Sequence, residues 1–126
     1  MKILVFGNML VEADSLPLRL MPKLEKLFPS IEFKEFDTAE NLEDEGRDLI
    51  ILDTAFGIEK VTLIDDVDNL QMSKTASMHD FDLPITLRIL IKLKAIDSVK
   101  IIAIPAGYGE KKAIEEISAM IKSIST

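Results

Sequence analysis

Two aspartates and one histidine are the residues whose types and places could carry chemistry. Asp14 follows the apolar run Lys2–Phe6, after Gly7-Asn8-Met9-Leu10-Val11-Glu12-Ala13. Asp53 closes the run Leu49–Leu52 and is followed by Thr54-Ala55-Phe56-Gly57. His79, the single histidine, stands just before a helical apolar stretch. If the two runs are parallel strands, all three residues come to one edge of a sheet, the carboxyl edge where open α/β sheets bind ligands. Two carboxylates and an imidazole offer only oxygen and nitrogen donors. Such a set suits a divalent metal of borderline character, nickel or zinc among them. The same spacing also suits ordinary strand-end acids, a helix cap and a loop histidine.

Other chemistries lack their signatures. The chain has no cysteine, so thiolate catalysis, thiolate ligation and disulfides are excluded. It contains no phosphate loop of the Gly-x-x-x-x-Gly-Lys kind, no Gly-x-Gly-x-x-Gly and no His-Glu-x-x-His. A Gly-x-Ser-x-Gly elbow is absent too. Asp65-Asp66-Val67-Asp68 lacks the glycine and terminal glutamate of a calcium loop and reads as solvated. Gly107-Tyr108-Gly109 reads as a strand-to-helix connection. The methionines at 9, 21, 72, 78 and 120 are scattered, as packing residues are.

The elements that must position the acids follow from periodicity. Lys2–Phe6 ends in Gly7-Asn8 and reads as a buried strand entering a loop. Ser15–Phe28 is near helical, with Pro17 acceptable in the first turn and Pro22 expected to delay or kink the helix. Ile31–Phe36 alternates apolar and charged residues, a strand with one wet face. Thr38–Arg47 is acidic and reads as a short helix ending at Gly46. Leu49–Leu52 suits a central parallel strand covered on both faces. Lys60–Ile64 is a fourth strand, and Asp65–His79 a long loop. Asp82–Ile96 reads as a helix capped by Asp82, with Pro84 in its first turn and Leu83, Leu87, Leu90, Ile91 and Leu93 towards the core. Val99–Ile104 is a fifth strand. Glu110–Ile124 is a final helix with Ile114, Ile117, Ile121 and Ile124 at helical spacing. This alternation predicts a three-layer α/β fold, with a mostly parallel five-stranded sheet and helices on both faces. The 126 residues are expected to form one domain.

Hydrophobic residues make up 48% and charged residues 29% of the chain, the balance of a folded protein. A formal net charge of −7 argues against nucleic acid, which calls for clustered Lys and Arg. That charge fits solubility, or a basic protein partner. The opening run is too short for a signal peptide or a membrane span, so a cytoplasmic location is expected. Scarce Asn and Gln beside plentiful Ile, Lys and Glu lean towards a thermophilic source.

At the level of joint motifs the sequence resembles the hydrogenase maturation peptidases. Ile3-Leu4-Val5-Phe6-Gly7-Asn8 followed by Asp14 is similar to the family's first strand, its Gly-Asn and the acid beyond. Arg19 follows at the spacing of a helical arginine. Asp37-Thr38-Ala39-Glu40-Asn41 resembles the loop after the second strand in the formate-hydrogenlyase branch. Leu49–Asp53 looks like the third strand with its terminal Asp, and Ser77-Met78-His79 leads into Leu83-Pro84 as in the family. The resemblance implies an endopeptidase that removes the C-terminal extension of a nickel–iron hydrogenase large-subunit precursor after nickel insertion. It implies Asp14, Asp53 and His79 as metal contacts, with Asp14 and Asp53 also catalytic. It further implies Asn8, Glu40 and Asn41 as substrate contacts, and nickel supplied by the substrate. The sequence departs from the family where Ala13-Asp14-Ser15-Leu16-Pro17 replaces an acidic pair followed by Gly-x-Gly. The Gly-Gly after Asp37 is missing, and Pro105–Gly109 replaces a longer loop. The alternative is a non-catalytic chaperone that checks nickel loading on the same precursor. A flavodoxin-like small-ligand domain is a third option.

Overall fold

The computed structural model describes residues 1–37, 39–66, 74–75 and 83–125. Strand β1 (Lys2–Val5) leads through a short 3-10 turn, Glu12–Asp14, into helix α1 (Leu16–Leu27). Strand β2 (Glu32–Glu35), a second 3-10 turn at Leu42–Glu45 and strand β3 (Asp48–Phe56) follow. Then come β4 (Thr62–Ile64), the two-residue β5 (Lys74–Thr75), α2 (Leu83–Lys92), β6 (Ser98–Pro105) and α3 (Glu110–Ile124). The strand order is β2-β1-β3-β6-β4, with β5 pairing the end of β3. β1 runs parallel to β2 and β3, and β3 parallel to β6. β4 and β5 are antiparallel. The fold is therefore the mostly parallel α/β sandwich expected from the alternation of elements.

Two apolar layers hold it together. On one face Leu4, Leu49, Ile51 and Ile101 pack against Leu83, Leu87 and Leu90 of α2. On the other Ile3, Val5, Leu52 and Ile102 pack against Leu16, Leu20 and Leu24 of α1 and Ile117 and Ile121 of α3. Burying both faces is what the continuous apolar runs of β1, β3 and β6 require. No described helix is long and apolar enough to cross a membrane.

Several details differ from the sequence expectation. α1 starts at Leu16, without the delay expected from Pro22, and continues unbroken across it. Pro22 lies on the exposed side, and its missing N–H leaves the Leu18 carbonyl without the usual helical donor. The acidic stretch before Gly46 forms only the turn Leu42–Glu45, ended by Gly46 at φ 135°. β3 does not stop at Leu52. Its parallel ladder with β6 continues from Asp48↔Ser98 to Ala55↔Pro105, so Asp53 lies within the strand. Lys74–Thr75 is strand rather than loop. Leu93 is 71% exposed instead of core-facing. It falls just past the end of α2, where Lys94 (φ 60°) reverses the chain. There the N–H groups of Lys94 and Ala95 are donated to the carbonyls of Ile91 and Leu90, a left-handed helix stop. The Asp82 cap lies outside the described residues.

One ion cluster ties the turn Leu42–Glu45 to the sheet. The Glu45 carboxylate, with only 5% of its side chain exposed, meets Lys2 Nζ at 2.8 Å and Lys34 Nζ at 2.5 Å. Lys2 first, then Lys34, hold the Glu45 carboxyl below its ordinary value near 4.5. A depressed carboxyl stabilises the fold above the unfolded value, and that contribution disappears as pH falls through the folded value. Glu45→Gln should therefore melt below the parent at pH 7, and the gap should close as pH drops below about 4. Thermal melts of both proteins across that range check this.

Candidate functional site at the carboxyl edge of the sheet

The site begins with a gap. β1 leads outward through α1 to β2, whereas β3 leads the other way through α2 to β6. The crevice between the carboxyl ends of β1 and β3 is thus the switch point of the sheet. The Phe6 N–H, just past β1, still reaches β3, bonding the Leu52 carbonyl at 2.9 Å. A strand residue points its N–H and C=O to the same side, and the sides alternate. Thr54, two residues beyond Leu52, therefore also points its N–H towards β1. By then β1 has turned away at Gly7.

A buried N–H without a partner is costly. Asp53 supplies the partner. Its Oδ1 accepts the Thr54 N–H at 2.8 Å. The Thr54 hydroxyl in turn donates to Asp14 Oδ1 at 2.9 Å. Thr54 thus connects the two aspartates, through its backbone to one and its side chain to the other. Along β3, Leu49, Ile51 and Ala55 face α2, while Leu52 faces α1 and α3. The same alternation starts the Asp53 side chain from the α2 face and the Thr54 side chain from the α1 face, where Asp14 meets it.

Asp14, Ser15, Asp53 and Thr54 are the buried polar or charged residues among those described, all at most 5% exposed. Asp14 and Thr54, 40 residues apart in the chain, meet through a hydrogen bond, and Asp53 meets the same threonine. Buried polar side chains gathered in this way mark a built site more than a packing accident.

The loop after β1 is shaped to bring Asp14 there. A Cβ on Gly7 would stand 2.8 Å from the Asp14 carbonyl oxygen and 3.1 Å from Leu18 Cγ. Only glycine lets the strand pass that close. The Asn8 N–H then bonds the Asp14 carbonyl at 3.0 Å, closing the loop on itself. Ser15 Oγ donates to the Glu12 carbonyl and accepts from Arg19 Nε. Arg19 reaches on to Glu110 of α3. A cleft of about 450 Å³ lies beside this turn, lined by Glu12, Arg19, Gly107 and Tyr108. The Gly107–Gly109 connection is fixed by Tyr108, whose hydroxyl donates to Glu116 Oε2 at 2.7 Å. Loss of hydration, then this bond, push the Tyr108 phenol up. The same bond, then the Val61 N–H, hold the Glu116 carboxyl down.

The residues expected from sequence divide as follows. Asp14 and Asp53 come together around Thr54. His79 lies outside the described residues. Asn8 belongs to the loop, its Oδ1 accepting the Leu10 N–H at 2.9 Å. Glu40 and Asn41 sit in the β2–β3 connection, where Glu40 stands 3.5 Å from Lys34 Nζ and the Asn41 carbonyl accepts the Asp44 N–H. Ser15 and Thr54 escaped notice in the sequence, since a Ser before a helix and a Thr in a strand are commonplace. Among the described residues no three His, Cys, Asp or Glu side chains gather to hold a metal ion. A metal at this edge would need further donors, from His79 or from a bound molecule.

No family model matches the chain, and no curated protein sequence matches it. Among solved structures, the crystal structure of hydrogenase 2 maturation peptidase from Thaumarchaeota archaeon SCGC_AB-539-E09 is similar. The likeness has a TM-score of 0.57 at 15% identity and covers 98% of this chain and 97% of that one. At such identity it establishes a shared fold from end to end.

Thr54→Val keeps the shape but removes the hydroxyl donor to Asp14. It should cost about 1–3 kcal/mol, the range for leaving a buried polar group without its partner. Thr54→Ser, which keeps the hydroxyl, should recover most of the loss. Chemical denaturation midpoints of the three proteins check this.

Proposed function

We propose that this chain is a hydrogenase maturation endopeptidase, which removes the C-terminal extension from the large-subunit precursor of a nickel–iron hydrogenase. The buried pair of carboxylates at the switch point carries this reading. An acid pair gathered around one threonine at a ligand-binding edge is what a hydrolytic site needs. The end-to-end fold likeness to a maturation peptidase supports it. So does the resemblance of Gly7-Asn8, Asp14, Leu49–Asp53 and His79 to that family's motifs, those of Asp37–Asn41 pointing to its formate-hydrogenlyase branch.

In this reading nickel belongs to the substrate. Asp14, Asp53 and His79 add oxygen and nitrogen donors to an ion that the precursor already holds. An ion so placed polarises the scissile carbonyl or lowers the pKa of a water. The chain offers no cysteine nucleophile, and this reading takes attack by water rather than a covalent intermediate. Water adds its oxygen to the carbonyl carbon, a carboxylate of the pair takes the water's proton, and the proton passes to the departing amine. Thr54 keeps Asp14 oriented throughout, leaving the carboxylates little to reorganise.

The test is to incubate the nickel-loaded precursor with the protein and weigh the product. The parent should release the C-terminal peptide. Asp14→Asn and Asp53→Asn keep an oxygen to accept from Thr54, so both should fold normally. Each should cut more slowly by roughly 10²-fold or more, and His79→Ala should show a comparable loss. Unchanged cleavage by all three variants would remove the site from the mechanism. A parent that binds the precursor without shortening it would be the non-catalytic nickel-checking chaperone instead.

A further inference from the structure

Ser15 stands where a helix is normally capped, yet it caps nothing. It precedes Leu16 at the start of α1, and its side chain makes no cap bond. A serine in that position usually accepts the N–H of the second or third helical residue. Here the second is Pro17, which has no N–H to give. The Ser15 hydroxyl turns back instead and donates to the Glu12 carbonyl at 3.0 Å, closing the turn that carries Asp14. Its oxygen still has acceptor capacity. Arg19 uses it, with Nε donating to Ser15 Oγ at 3.1 Å. Arg19 lies one helical turn beyond Ser15, and a helical side chain leans back towards the N-terminus. The guanidinium is held from its other end as well. There Nη1 donates to Glu110 Oε1 at 2.5 Å, in the first turn of α3. The turn before α1 is thereby pinned to a distant part of the chain.

We propose that Arg19 is the positioning residue for Asp14, acting through the Ser15 hydroxyl, with Glu110 holding its guanidinium in place. This rests on the peptidase reading above. Asp14 and Ser15 are neighbours in the chain and both are buried, so a displaced Ser15 carries Asp14 with it. Thr54 fixes one oxygen of the Asp14 carboxylate, and the Asn8 N–H fixes the Asp14 main-chain carbonyl. Ser15 and Arg19 supply a third point, from the side of α1 and α3. Stability does not account for the arrangement. The Arg19 and Glu110 side chains are each 39% exposed, and an ion pair so open adds little to the fold. What a planar guanidinium adds is direction, because its Nε and Nη1 serve two acceptors at fixed angles. A reacting group moved by a small distance loses far more in rate than the fold loses in stability.

The experiment combines steady-state cleavage of the nickel-loaded precursor with amide hydrogen exchange of the protein alone. Arg19→Ala and Ser15→Ala should each lower kcat by roughly tenfold, with KM near the parent's. The double variant should lose roughly tenfold rather than a hundredfold, because both changes break one chain of bonds. Arg19→Lys keeps a charge for Glu110 but not the second directed donor, so it should remain slow. Lys23→Ala removes the other cation at Glu110 and should change nothing. In Arg19→Ala and Ser15→Ala the Asn8 and Asp14 amides should exchange roughly tenfold faster, while those of β3 and β6 keep the parent's rates. Unchanged exchange at Asn8 and Asp14 overturns the positioning role. Faster exchange spread over β3 and β6 overturns it too, since the loss would then be one of fold stability. Losses that multiply in the double variant overturn the route through Ser15. Local exchange that quickens while kcat stays at the parent's value overturns the role in cleavage and leaves the peptidase reading standing. A parent that does not cut, with the local exchange response intact, overturns the peptidase reading and leaves Arg19 as the residue that sets Asp14.

Discussion

The structure of this edge turns on a single donor, the backbone N–H of Thr54. It points towards β1 at the level where β1 has already left the sheet. In a buried place that donor must find an acceptor. Asp53 provides it from the preceding position, and a carboxylate is thereby committed to the interior of the central strand. Once Thr54 is fixed, its hydroxyl is fixed too, and Asp14 settles on it. The switch in winding direction that opens the crevice thus also dictates its polar lining. Ligand sites at such crevices follow from the topology. Here the topology also accounts for the acids that line it.

Much of the fold could be read in the sequence because its signals were strong and local. The continuous runs Lys2–Phe6, Leu49–Leu52 and Val99–Ile104 became β1, β3 and β6, since a strand covered on both faces has no polar side to show. Glu110–Ile124 coincides with α3 because Gly109 and an unbroken isoleucine stripe bound it clearly. What failed was tertiary in origin. β3 runs on through Asp53 because β6 supplies a partner along its whole length, and no periodicity of residues 49–56 contains that fact. Leu93 matched the helical stripe but fell past a stop made by Lys94, a residue that seldom adopts positive φ. Pro22 was expected to delay or kink α1, and the helix starts at Leu16 and stays unbroken across that exposed position.

The candidate site was legible only in part, and for a similar reason. Asp14 and Asp53 stand out as acids after apolar runs, so their edge could be foreseen from the parallel sheet. The means of joining them could not. Thr54 is a common strand residue, and its role depends on the direction of one N–H and on where β1 ends. Gly7 was visible as a turn residue, but its reason is a close approach of 2.8 Å to the Asp14 carbonyl. Asn8 was read as a substrate contact, and the fold adds that its Oδ1 accepts the Leu10 N–H and so braces the loop.

The central claim is that the acids joined by Thr54 become ligands of the metal in a protein substrate. Nickel-edge X-ray absorption addresses it most directly, comparing the nickel-loaded precursor alone, in complex with the parent, and in complex with Asp53→Ala. The account predicts that the parent complex gains oxygen or nitrogen neighbours around nickel that the precursor lacks, and that the Asp53→Ala complex gains fewer. A complex that forms fully while the nickel spectrum stays identical to that of the free precursor would contradict it.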